Sequence, residues 1–263
     1  MTHIWSEHGE EIRISQRTLY RYIDLGVLSI GNIDLRRKVA YRPRKKKKES
    51  SERFLNQNFR KNRGYDDYLK YMEKHPNTST VQMDTVKGVR EQGKRMLTLH
   101  FCDTNMMLIF LMLDCRADSV VEQFDRLTGF LGLEEFRKAF PVILTDNGSE
   151  FKHTRELEIT SDGKRRTRVF YCDPQASWQK PQIEKNHEFI RYVLPKGKTF
   201  SPYTQDDMVI LMNNINSIRR ETLKGISPYE AVKNESILHL MEMMNLKLIP
   251  ADEVNLTPSL LKK

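Results

Sequence analysis

The sequence predicts an α/β protein with a mixed sheet flanked by helices, preceded by a small basic helical region. Three observations predict it. Strand-like apolar runs begin at Thr80, helical and strand-like segments alternate from Asp118 onward, and the excess positive charge lies almost wholly before the first strand. Of 44 Lys+Arg and 35 Asp+Glu, residues 1–80 hold 18 and 10, leaving 26 and 25 for the rest. A basic segment joined to a near-neutral body suits contact with a polyanion, and equally suits a solvated tail.

A chain of 263 residues accommodates one ordinary core and a smaller appendage. No stretch reaches the roughly 18 consecutive apolar residues of a membrane span, and MTHIWSEHGE lacks the order of a secretory signal. The reading is a soluble, intracellular protein with no membrane contact. Cys102, Cys115 and Cys172 are odd in number and lack CxxC spacing, which argues against a disulfide framework or a zinc site.

His3 to Glu11 reads as a short helix, and Ser15 is placed to cap a second, Gln16 to Asp24, stopped at Gly26. Leu19, Tyr22 and Ile23 share one face of it, while Gln16, Arg17, Thr18 and Arg21 point elsewhere. Two such helices fit a helix-turn-helix or a plain helical hairpin. Asp34 to Lys48, with the run RPRKKKK at Arg42 to Lys48, reads as a linker, and Ser51 to Lys74 as a polar amphipathic segment.

Val81, Met83, Thr85 and Val86 mark a strand around Asp84. Met96 to Cys102 and Met106 to Leu113 form a hairpin about Asp103, Thr104 and Asn105. Asp118 to Ala139 follows as a helix with weak points at Gly129 and Gly132. Then come a strand ending at Leu144, a polar piece, a strand Thr167 to Tyr171, and helices Trp178 to Val193 and Gln205 to Glu221, with short pieces beyond Ser227. Trp178 is expected in the core, and Met106-Met107 and Met241 to Met244 in packing.

The stretch TDNGSEF, Thr145 to Phe151, has the chemistry of a tight hairpin turn. The residues after Gly148 are too polar to form the returning strand. Asp146 therefore stands at the carboxyl end of a buried strand, where open α/β sheets place binding groups. Asp84 lies in an apolar strand, so its charge must be paired, at an edge, or bound to something positive. Glu184 falls on a helix begun by Pro181. Ile183, His187, Ile190 and Leu194 form one stripe of that helix, and Lys180, Glu184, Glu188 and Arg191 the next. An exposed strand Asp and a solvated helix Glu remain open readings of Asp84 and Glu184.

MDTVKG around Asp84, ILTDNGSEF around Asp146 and DPQASWQKPQIEKNHEFIRYVLPKG around Glu184 resemble the three signatures of DDE transposases of the IS-thirty insertion-sequence family. That family belongs to the retroviral-integrase-like superfamily. The similarity runs in order over roughly residues 10–235 and includes ISQRTLYRYID, which is similar to the family's helix-turn-helix. It implies an RNase H-like mixed five-stranded sheet with flanking helices, and Asp84, Asp146 and Glu184 as catalytic carboxylates and metal ligands. Two Mg²⁺ ions are implied, with Mn²⁺ as a substitute, since hard cations favour oxygen donors. The implied reaction is DNA end cleavage by water, then strand transfer by the freed 3′-hydroxyl.

The implied partners are the element's ends and target DNA, with a homo-oligomer, at least a dimer, on DNA, in a cytoplasmic, nucleoid-associated protein. DNA contacts are expected from Gln16, Arg17, Thr18 and Arg21, from Arg42, Arg44, Lys45 and Lys46, and from Lys180, Lys185 and Arg191. Glu150 ranks below the triad, as a supporting group or a helix-start residue. The implied organisation is a partial helix-turn-helix over 1–30, a basic linker and helical segment over 31–76, an integrase-like core over 77–235 and a helical tail over 236–263.

The chain departs from the family in a short N-terminus, in Pro181 where a glycine is common, and in a missing aromatic before Asp84. Between Asp146 and Glu184 lie 37 residues, a few more than usual, with the surplus expected in the basic loop Ser161 to Arg166. The rival reading is a truncated DNA-binding remnant without full transposition activity; a third is a general RNase H-like nuclease.

Overall fold

The computed structural model describes residues 2–35, 58–89 and 93–261. Its centre is a five-stranded sheet in the order β3-β2-β1-β4-β5. The strands are β1 (Thr80–Lys87), β2 (Arg95–Phe101), β3 (Met107–Met112), β4 (Val142–Thr145) and β5 (Arg168–Tyr171). β1, β2 and β3 are antiparallel neighbours, and β4 and β5 run parallel to β1. This order and these directions are those of the RNase H-like fold.

The period-2 pattern of the short parallel strands divides the sheet's two faces. Ile143, Val169 and Tyr171 join the main core with Phe124, Phe136 and Phe140. Val142, Leu144, Phe170 and Cys172 form a second cluster, covered by Tyr65, Tyr68, Tyr71 and Met72 of helix α3 (Tyr65–Lys74). The crossover from β3 to β4 carries α4 (Ala117–Leu131) and α5 (Leu133–Ala139). Gly132, at φ +74°, separates these two helices, whereas Gly129 stays helical. Only the second of the two expected weak points is a break, because only there does the chain take a conformation that side chains resist.

β3 is the sheet's edge, and amide side chains of α8 (Gln205–Asn216) pair with it. Gln205 accepts from Leu111 N–H at 2.8 Å and donates to the Ile109 carbonyl at 2.9 Å. Asn216 accepts from Met107 N–H and donates to the Met107 carbonyl, each at 2.9 Å. These bonds occupy outward groups of the strand and blunt pairing with another chain. α8 stops at Asn216, short of the expected Glu221.

The N-terminal pair is α1 (Thr2–His8) and α2 (Gln16–Asp24). Ser15 Oγ accepts from Thr18 N–H at 3.1 Å, and Gly26 at φ +68° ends α2. α1 stops earlier than expected, in a turn at Gly9 and Glu10. It is tied to the C-terminal part of the chain: Glu7 pairs with Arg219, His3 bonds the Ala251 carbonyl at 3.0 Å, and His8 meets Asp252 at 2.9 Å. No helix among the described residues is long and apolar enough to cross a membrane.

The expected basic hairpin exists as a bridge between Ile159 and Arg165, but Arg166 at its end is not a surface residue. It is buried, bonded to Asp125, Thr128 and the Leu157 carbonyl. Trp178 corrects the expectation in the opposite direction. It is 74% exposed on a 3₁₀ turn, Ser177–Gln179, that precedes α7 (Pro181–Val193). The segment begins as this turn because Pro181 must start a new helix, and the turn aims the indole outward.

Candidate active site

Asp84 and Asp146 are neighbours because β1 and β4 are. The parallel register pairs Gln82 with Leu144, so the chain reaches Asp84 and Asp146 together, two residues further along. Thr145 Oγ1 donates to the Met83 carbonyl at 3.0 Å and clamps the strands just before both acids. Asp84 Oδ1 accepts from Thr85 N–H at 2.7 Å, and Asp146 Oδ1 accepts from Gly148 N–H at 2.9 Å. The bend after Asp146 is thus held by its own carboxylate. Neither Asn147 nor Gly148 takes positive φ, so no tight hairpin turn forms there.

The second oxygens of both acids converge on one cation. Lys180 Nζ lies 2.9 Å from Asp84 Oδ2 and 3.2 Å from Asp146 Oδ2. Side-chain exposure is 4% for Lys180, 17% for Asp84 and 43% for Asp146, so the cluster opens to solvent on the Asp146 side. Burial pushes the Asp84 carboxyl above its ordinary range; Lys180 opposes this and the charge of Asp146 adds to it. Burial works against the Lys180 charge, but Asp84 and Asp146 outweigh it and hold the ammonium above its ordinary value. Two acids share one base, which leaves the cluster net negative.

Lys180 is placed by the start of α7. Pro181 occupies the first helical position, and Ile183 N–H donates to Gln82 Oε1 at 2.9 Å, fixing that end of the helix on β1. Deeper along α7, His187 Nε2 is 2.8 Å from Thr98 Oγ1, whose own proton goes to the Asp84 carbonyl at 3.0 Å. Since the hydroxyl has one proton, His187 Nε2 is the donor in that contact. Burial, followed by the charges of Lys180 and Arg191, pushes His187 down to about 3, so a neutral imidazole holds β1 behind Asp84.

Glu150 is closer to the chemistry than its sequence ranking implies. It is buried, accepts from Thr85 Oγ1 at 2.6 Å and from Cys115 Sγ at 3.3 Å, and lies 3.6 Å from Lys87 Nζ. Burial alone would raise its carboxyl; the Thr85 hydroxyl, the Glu150 N–H, Lys87 and Cys115 outweigh that and hold it below the ordinary value. The link joins the residue after Asp84 to the loop after Asp146. A Cβ on Gly148 would sit 2.7 Å from Glu150 Oε2 and 3.0 Å from Asp146 Oδ1. Any side chain at position 148 would therefore have to displace one of two carboxylates. Thr85 escaped the sequence reading, although its place beside Asp84 and the Glu of DNGSEF were signals for the pair.

The remaining expected residues are placed as follows. Glu184 lies half-buried in the first turn of α7 and makes no hydrogen bond or ion pair among the described residues. Lys185 is exposed, while Arg191 is half-buried and donates to the Lys87 carbonyl at 2.8 Å. Lys180, expected as a DNA contact, is instead buried and paired with Asp84 and Asp146. Arg17 and Arg21 are exposed on α2, with Gln16 and Thr18 half-covered. Arg42, Arg44, Lys45 and Lys46 lie outside the described residues.

Among the described residues, no three acid, histidine or cysteine side chains are gathered closely enough to grip a metal ion. The Asp84–Asp146 pair nonetheless fits a hard cation. Its donors are carboxylate oxygens, a positive group already sits between them, and the neighbouring Asn147 Oδ1 is buried without a partner.

No protein-family model matches the chain. It is 35% identical over 105 residues to the transposase InsI for insertion sequence element IS30A of Escherichia coli (strain K12), 40% of this chain and 26% of that one. It is 28% identical over 151 residues to the transposase for insertion sequence element IS1086 of Cupriavidus metallidurans, 57% of this chain and 41% of that one. The chain resembles IS30-type transposases. It spans less than half the length of each of these two relatives. Among solved structures, the HTLV-2 integrase catalytic core domain in complex with magnesium is 14% identical. It covers 58% of this chain and 94% of that one at a TM-score of 0.40, too loose a superposition to bear on function.

Proposed function

We propose that the chain carries out metal-dependent DNA end cleavage and strand transfer for an insertion sequence, with Asp84, Asp146 and Glu184 as its catalytic carboxylates. The observation that carries this reading is the meeting of Asp84 and Asp146 on one cation at the ends of adjacent parallel strands. The similarity to IS30-type transposases supplies the reaction class. Asp84 and Asp146 would hold divalent metal, Mg²⁺ or Mn²⁺, and Glu184 would join them from the first turn of α7.

Two such ions, when bound, supply activation of the attacking oxygen and stabilisation of the leaving one at phosphorus. The chain's own part is positional. The Thr145 clamp and the Thr85–Glu150 link fix the spacing of the two acids. The bond from Thr98 to the Asp84 carbonyl keeps β1 in register, and the Asp146–Gly148 bond orients the exposed carboxylate toward solvent, where DNA would approach. Arg17 and Arg21 on α2, and Lys185 on α7, are exposed and suited to phosphate contacts. Joining two ends to a target requires at least a dimer on DNA.

The test is strand transfer of a labelled element end with Mg²⁺, comparing wild type with Asp146→Asn. Transfer by wild type alone is expected. Equal transfer by both would remove Asp146 from the chemistry. Binding of the end without transfer by either protein would favour a DNA-binding remnant.

A further inference from the structure

Lys180 is too deeply placed to be a surface contact and too well bonded to be incidental. Its ammonium has the least exposed side chain of the three groups, and two of its three donors are spent on Asp84 and Asp146. It reaches them from the residue just before Pro181, where the backbone is not yet helical, at φ −133° and ψ 58°. The side chain therefore folds back under the start of α7, and its flexible four-carbon stem lets the charge leave without moving the helix.

The charge balance shows why leaving is favoured when a stronger cation arrives. Two carboxylates facing one ammonium stay net negative, and without the ammonium their mutual repulsion in a poorly solvated place is costly. A divalent ion brings twice the charge and prefers carboxylate oxygen. Entry is from the side of Asp146, whose side chain is 43% exposed.

We propose that Lys180 is the resident counter-ion of the Asp84–Asp146 pair, holding the two acids together in the metal-free protein and giving way when a divalent cation binds. Lys180 is thus a positioning residue that competes with metal for the same oxygens, and its displacement frees one positive charge beside the reacting phosphate. This rests on the reading of Asp84 and Asp146 as metal ligands. An internal competitor lowers the apparent affinity for metal by the fraction of time the site is vacant of it. Removing that competitor strengthens metal binding while weakening the metal-free fold, a pair of opposite effects that a simple supporting role does not produce.

The test is direct titration of the full chain with Mn²⁺, read by calorimetry and by the electron paramagnetic resonance signal of free ion, together with melting temperatures at zero and saturating Mn²⁺. The proteins are wild type, Lys180→Gln and Lys180→Arg. Lys180→Gln is expected to bind Mn²⁺ about ten-fold more tightly, to melt lower without metal, and to gain more from metal than wild type. Lys180→Arg keeps a permanent charge with a broader, stiffer fork and is expected to bind Mn²⁺ more weakly than wild type. Should Lys180→Gln not fold without metal, folding restored by Mn²⁺ supports the proposal. Unchanged or weaker Mn²⁺ binding by Lys180→Gln, while wild type binds, overturns the competitor role and leaves the metal site standing. An absence of Mn²⁺ binding in all three proteins overturns the metal site and the competitor with it.

Discussion

Two buried charge clusters sit at opposite ends of the parallel strands β4 and β5, and they are built in inverse proportion. Beyond the carboxyl end of β4, two acids, Asp84 and Asp146, share one base, Lys180. At the amino end of β5, one acid, Glu158, is shared by two bases. Arg63 lies 2.8 Å and Arg165 2.9 Å from Glu158 Oε2, and Val169 N–H donates to Oε1 at 2.9 Å. Burial alone would raise the Glu158 carboxyl, but Arg63, Val169 and Arg165 outweigh it and hold it low. The second cluster has more positive charge than its acid needs, so it offers a further cation nothing. The first has less, so it does. A cleft of about 220 Å³ adjoins the Glu158 cluster, lined by Lys61, Asn62, Arg63, Arg165 and Arg168 among others. The acid-rich end is marked by its charge deficit.

The sharpest way to break this comparison is to neutralise an acid in each cluster. Asp84→Asn or Asp146→Asn should lower strand transfer by about 10²-fold or more, since metal-borne stabilisation amounts to several kcal/mol, with little loss of fold. Glu158→Gln should do the reverse. It leaves two partly exposed guanidiniums facing a neutral amide, so a loss of about 1–2 kcal/mol of stability is expected in denaturant unfolding, with Mn²⁺ affinity unchanged. The pH sign follows from the depressed carboxyl. The stability difference between wild type and Glu158→Gln should be full above about 4.5, the ordinary value, and shrink as pH falls below it.

Smaller changes sharpen the picture around the first cluster. Thr85→Val removes the 2.6 Å bond to Glu150 and leaves a buried carboxylate short of a donor. A loss of about 1–2 kcal/mol in unfolding is expected, with several-fold weaker Mn²⁺ binding measured by titration as the two acid-bearing segments loosen. Trp178→Ala should change stability by no more than about 0.5 kcal/mol, because the ring packs on little. A large loss in thermal unfolding would place Trp178 back in the core.

These contrasts also explain what the sequence could reveal. The strands were legible because β2 and β4 are wholly buried, β1 mostly so, and all three are rich in apolar and β-branched residues. Asp84 and Asp146 were legible because each interrupts or ends such a run. Lys180 was legible only as a DNA contact, since its place on the stripe of Glu184 suits an outward charge, and its burial against the two acids depends on the break before Pro181. Glu158 lay unnoticed in a polar stretch, because its partner Arg63 is distant in sequence and reaches it only once β5 is in place. Trp178 was misjudged because an aromatic between two helical motifs suggests packing, whereas a 3₁₀ turn directs it to solvent. The carboxylate of Glu184 was legible as a motif, yet its chemistry depends on partners that its half-buried place on α7 does not by itself supply.

The most direct measurement is Mn²⁺ titration of the full chain in wild type, Asp84→Asn and Glu158→Gln, under conditions where all three are folded. Binding by wild type and Glu158→Gln, with loss in Asp84→Asn, is the expected result. Wild-type affinity in Asp84→Asn, or its loss only in Glu158→Gln, would contradict the assignment of the acid-rich cluster as the metal-dependent site.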